Sequence, residues 1–173
     1  MKRDDGSDKL GQGADERDPA FWRLGAERLK RSADLAWAAG IADNGPGRHP
    51  TRVEQQLNTA FLFLAGLALE YLAMGCLLGE GSGAVDDVPG HRLRRLVQRC
   101  GIEPGADEQD LLRRAEAVLQ WHSRFSIAEP MGDAALKETA PRLGGLAGML
   151  TARHKSALDS LFVRLEAAGP GTW

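Results

Sequence analysis

A chain of 173 residues, 43% hydrophobic and 27% charged, has the balance of one globular domain able to bury a core. A net charge of −2 excludes a global pull toward nucleic acid, so any such contact must come from a local basic patch. The two cysteines, Cys76 and Cys100, lie in apolar stretches outside any CxxC pair, which excludes a disulfide scaffold and suits a reducing, cytoplasmic setting.

Residues 1–17 are charged and Gly-rich without an apolar run, so they are expected to form a disordered tail rather than a signal peptide. A first helix is predicted from about Asp18 to Ala39. Asp18 caps it, Pro19 suits its first position, and Gly40 stops it. Trp22, Ala26, Leu29, Ala33, Ala36 and Trp37 recur at helical spacing as its inner stripe. After a turn-rich loop, Thr51 and Glu54 form a capping-box pattern that opens a second helix running to about Leu78. From Ala60 to Leu78 this helix is apolar nearly all round, as for the most buried helix of a bundle. Its length would also cross a bilayer, but Glu70 near its middle and the absence of basic or aromatic anchors favour the core.

A short third helix is predicted over about His91 to Cys100, with Leu93, Leu96, Val97 and Cys100 inward and Arg92, Arg95 and Arg99 on another face. A fourth runs from about Asp107 to Phe125, with Leu111, Ala115, Val118, His122 and Phe125 inward. The last helical region spans about Arg142 to Ala168. Gly144, Gly145 and Gly148 weaken its first half and predict a break near Thr151, and Leu158, Leu161, Phe162 and Leu165 form its packing face. Strand signals are nearly absent. The expected architecture is all-α: a five- to six-helix up-and-down bundle over 18–168, followed by a tail at 169–173.

A few residues stand out as carriers of chemistry. Glu70 reads as a structural ion pair between helices, a functional carboxylate in a cleft, or an exposed edge residue. Arg124, just after Trp121 and His122, offers a bidentate fork to Glu70 or to a phosphate, or is a solvated surface group. His91 reads as a local cap or as a catalytic or phosphate-binding group, and His122 as a half-buried packing residue. Arg92, Arg94, Arg95 and Arg99, with Arg113 and Arg114, make a basic cluster. It is a phosphate-binding patch or a solvated face neutralised by Asp86, Asp87, Asp107, Glu108 and Asp110. The four histidines are scattered, and no HExxH, cysteine cluster or Walker-type loop exists, so no metal or cofactor is expected.

Several segments together resemble the HEPN (higher eukaryotes and prokaryotes nucleotide-binding) domains. AFLFLAGLALEYLAMGCLLGEG (Ala60 to Gly81) resembles their central helix, an apolar helix carrying a Glu. GHRLRRLVQRCGI (Gly90 to Ile102) is similar to the Gly-His-Asp-Leu signature that follows. LLRRAEAVLQWHSRFSIAEP (Leu111 to Pro130) is similar to the helix ending in Trp-x-x-Arg-Tyr-Pro, and FWRLGAERLKRSADLAW (Phe21 to Trp37) fits the first helix. Glu70, His91, Trp121 and Arg124 match the family's pattern. Met74, Arg92 and Phe125-Ser126 stand where the family has Lys, Asp and Tyr-Pro.

The resemblance implies dimerisation through helices or a partner protein, RNA or nucleotide ligands, and a defence, stress or toxin–antitoxin setting. The family's ribonucleases carry Arg, four to six residues, then His. Here the allowed positions before His49, His91, His122 and His154 hold no arginine, and Arg114 lies one step too far from His122. The sequence therefore points to a non-catalytic module without membrane insertion. A metal-independent ribonuclease using His91, Arg124 and Glu70, and a membrane-associated helical protein, are the two other readings.

Overall fold

Asp18 opens the first helix as predicted, its Oδ1 accepting the Ala20 N–H at 2.9 Å. The computed structural model describes residues 18–40, 51–79, 92–126 and 150–169, with the backbone alone over 122–126. These residues form five helices: α1 (Pro19–Gly40), α2 (Arg52–Gly79), α3 (Leu93–Arg99), α4 (Ala106–Ser126) and α5 (Ala152–Ala168). No strand occurs among them, so the all-α bundle stands. Both expected tails lie outside the described residues, apart from Gly169, and so does 142–149, the first half of the expected last helix.

Three helices begin with the same device, a side chain at the third helical position reaching back to the cap N–H. Glu54 Oε2 accepts the Thr51 N–H at 2.6 Å while the Glu54 N–H donates to Thr51 Oγ1 at 3.3 Å. Glu108 Oε2 accepts the Gly105 N–H at 2.8 Å, and His154 Nδ1 accepts the Thr151 N–H at 2.9 Å. Thr151, read from the sequence as a break, is thus the start of α5. Gly101 closes α3 in the left-handed region at φ 73°, with its N–H on the Gln98 carbonyl at 3.0 Å.

α2 is the hub. It touches α1, α3, α4 and α5, and its most extensive interface is with α1. Phe61, Leu62, Leu69, Leu72 and Leu77 are buried on it, and Gly66 brings its backbone close to Ala115 and Leu119 of α4. Trp37 packs on Phe61 at 5.1 Å between ring centroids, and Trp22 meets Tyr71 edge-on at 5.0 Å. By length and composition α2 would cross a membrane, but 61% of its most apolar window is buried within the bundle. Cys76 and Cys100 are both buried thiols, donating to the carbonyls of Ala168 and Ala73 at 3.4 and 3.5 Å.

α1 carries two heptad-spaced rows. Trp22, Ala26, Leu29, Ala33, Ala36 and Gly40 face the bundle, while Phe21, Leu24, Arg28, Arg31, Leu35 and Ala38 are exposed. α5 lies antiparallel beside it, fastened by Arg23–Glu166 at 3.8 Å, Lys30–Asp159 at 2.7 Å and Lys155–Asp34 at 3.3 Å.

Candidate functional site

Burial of Leu93, Leu96, Val97 and Cys100 fixes the roll of α3 and decides where its arginines point. Arg92, Arg94 and Arg95 are exposed, and Arg99 is half-buried. α3 is held to α4 at its start, where the Arg94 N–H donates to Glu116 Oε1 at 2.9 Å. Between the two helices opens a groove of about 420 Å³ lined by Arg94, Ala106, Gln109, Asp110, Arg113 and Glu116. Gln109 is fixed by its amide donating to the Pro104 carbonyl at 2.9 Å.

The charge balance of this groove rests on Asp110. Its Oδ1 takes Arg113 at 2.5 Å, and its Oδ2 takes Arg114 Nε at 2.7 Å and His154 Nε2 at 2.9 Å. Burial pushes the Asp110 carboxyl up, but the hydrogen bonds from His154, Arg114 and Arg113 outweigh it and hold it well below the usual carboxylate range. One carboxylate is therefore shared among three donors, and the Arg113 side chain stays 62% exposed. Glu116 is engaged by the backbone of α3. The groove thus sets Arg94 and Arg113 beside two carboxylates, with Arg113 paired to Asp110 and the Glu116 carboxylate taking the Arg94 backbone N–H.

His154 is a structural group here. Its Nδ1 accepts a backbone N–H, so the proton sits on Nε2 and is donated to Asp110. Both ring nitrogens of a nearly buried imidazole are thereby committed, which leaves no lone pair for general-base work. Glu108 mirrors it. This buried α4 carboxylate accepts Ser160 Oγ–H at 2.7 Å and Arg164 at 2.8 Å from α5. Burial pushes Glu108 up as well, and the bonds from Gly105, Ser160 and Arg164 bring it below its ordinary value. Each helix thus sends its own cap-closing side chain across to the other. A second groove, about 510 Å³, runs between the two helix starts, walled by Glu108 and Ser160 and by small residues such as Ala152 and Ser156.

The structure places the sequence-predicted residues unevenly. Glu70 is half-buried on α2 rather than enclosed, because it falls at the margin of the face that α2 turns to its neighbours. Trp121 is half-buried on α4. His91 and the side chains of His122 and Arg124 lie outside the described residues, as do Asp86, Asp87 and His49. Arg95 and Arg99 lie on α3 with Arg92 at its N-cap, and Arg94 and Arg113 line the adjoining groove. Among the described residues, no group of three or more His, Cys, Asp or Glu side chains is arranged to hold a metal ion.

Sequence reasoning passed over the Asp110–His154 and Glu108–Ser160–Arg164 links. The one signal for them was Thr151-x-x-His154 ahead of an apolar run, a capping box with His in the place of Glu. Compared with family models, curated proteins and solved structures, the chain finds no match.

Proposed function

We propose that the chain is a non-catalytic, HEPN-like helical module that binds RNA or a nucleotide through its phosphates, using the arginines of α3 and the α3–α4 groove. The observation that carries this reading is local. Arg92, Arg94 and Arg95 are exposed together, with Arg113, itself paired with Asp110 but largely exposed, across the adjoining groove. Planar guanidiniums in such a setting take phosphate oxygens in a bidentate manner. The resemblance of Ala60 to Gly81, Gly90 to Ile102 and Leu111 to Pro130 to HEPN segments supplies the family, and with it a defence or toxin–antitoxin setting. The missing Arg-x4-6-His pattern and the doubly committed His154 favour binding without cleavage.

Fluorescence anisotropy with labelled single-stranded RNA over a salt series tests the assignment. Binding should weaken with salt. Arg92→Glu with Arg95→Glu should make log K less steeply dependent on log salt, by about one unit of slope for each phosphate no longer neutralised. The RNA should remain intact throughout. Affinity unchanged in the double variant would move the ligand elsewhere, and cleavage abolished by His91→Ala or Arg124→Ala would replace the reading with an enzyme.

A further inference from the structure

The exposed side of α1 is patterned as strictly as its buried side. Phe21, Leu24, Arg28, Arg31, Leu35 and Ala38 follow one another at alternating spacings of three and four, the period of a helix seam made to meet another helix. All six are exposed, flanked by Ala20, Ser32 and Ala39 and by the partly exposed charged side chains of Arg23, Glu27 and Asp34. Five large apolar side chains stand out as exposed in the described residues. Three of them lie on this row: Phe21 at 38%, Leu24 at 49% and Leu35 at 72%. Single exposed apolar residues are ordinary on a protein surface; here they fall at the two ends of one row, with Arg28 and Arg31 between them.

We propose that the outer row of α1 is a vacant coiled-coil seam whose partner is an amphipathic helix of another protein, apolar at both ends of the contact and acidic in the middle. The centre of the row dictates the acid. Arg28 and Arg31 occupy consecutive positions of the row, and neither guanidinium has a carboxylate partner among the described residues. The carboxylates beside them are already taken. Glu27 pairs with Arg23, and Asp34 with Lys30 and Lys155. A polar residue at a core position sets partner and register, and here it demands a negative counterpart.

The same charges argue against a second copy of this chain. In a parallel pair Arg28 meets Arg28, and in an antiparallel pair Arg28 meets Arg31. A lipid surface fits less well too, because an interfacial helix keeps its basic residues on the polar side of an apolar sector. Here the two arginines sit within the row itself. The seam lies on α1, apart from the α3–α4 arginines, so it stands or falls independently of the phosphate-binding reading.

The test uses the full chain and two synthetic peptides of about three heptads, identical except at two central core positions that carry Glu in one and Lys in the other, with leucine at the outer core positions. Anisotropy titrations should show the glutamate peptide binding at least about tenfold more tightly than the lysine peptide. Arg28→Glu with Arg31→Glu should reverse that order. Leu24→Gln with Leu35→Gln should weaken both peptides, with unchanged circular dichroism showing that the exposed substitutions leave the bundle folded. Equal affinity for the two peptides, or a preference that survives the charge reversal, overturns the proposal. So does adsorption to phosphatidylglycerol vesicles without peptide binding, or self-association in sedimentation that the leucine substitutions abolish.

Discussion

Asp110 is the side chain on which most depends relative to its size. It holds Arg113 and Arg114 on its own helix and receives the Nε2 proton of His154 from α5. Removing its charge leaves Arg114, whose side chain is 11% exposed, beside a neutral group, and weakens the tie to His154. Asp110→Asn should therefore lower unfolding free energy by about 2 kcal/mol in a urea titration at neutral pH.

The same residue sets an acid limb. Its folded value lies below the ordinary 3.8, so the unfolded chain binds the proton more readily. Its contribution to stability is complete above about pH 5 and is lost as pH falls through the folded value. Glu108 and Asp159 are lowered in the same direction and add to the effect. Stability measured from about pH 6 down to about pH 2 should fall steeply in the native chain and less steeply in Asp110→Asn. Parallel curves would show that the carboxylate is not coupled to folding. Thr151-x-x-His154 hinted at the cap, but the link itself was not legible, because no spacing rule joins position 110 to position 154 and the acids around 107–110 read only as neighbours of the arginines.

At the scale of elements the sequence was far more informative, and for identifiable reasons. Asp18 and Gly40 bracket α1, and Thr51 with Glu54 opens α2. Leu93, Leu96 and Val97 on α3, and Cys100 at its C-cap, are all buried, as their spacing requires. The period failed in part on α4. A single stripe through Leu111, Ala115 and Val118 missed Leu112 and Leu119, which are also buried. α4 packs against α2, α3 and α5 at once, so its apolar face is wider than one row, and a count at one periodic offset sees only half of it.

Close approach is the other property that spacing does not display. Gly40 ends α1, but it also abuts α2, and a Cβ there would lie 2.4 Å from Leu57 Cβ and 2.5 Å from its Cδ1. Since Leu57 Cβ is rigidly attached to its helix, Gly40→Ala must push α1 from α2 at that end. A cost of about 1–3 kcal/mol is expected, read as a lowered thermal midpoint.

For the molecule as a whole, α2 is the element that cannot be loosened without loosening the rest. Leu69 is fully buried on it, and a cavity there should cost about 2–5 kcal/mol in Leu69→Ala. Tryptophan fluorescence and far-ultraviolet circular dichroism should report the same shifted urea midpoint, because α1, α3, α4 and α5 all rest on α2. Separate midpoints for the two probes would mean that part of the bundle folds without that core.

The prominence of the α1–α2 interface also has a bearing on synthesis. The two helices are consecutive in the chain, so they can pair early, with little loop-closure entropy to overcome. The faces of α2 that belong to α4 and α5 must wait for segments made later. During that interval a growing chain presents bare apolar surface around Gly66 and Cys76, and the period between emergence of α2 and arrival of α5 is when a nascent chain of this protein is most exposed to aggregation or chaperone capture.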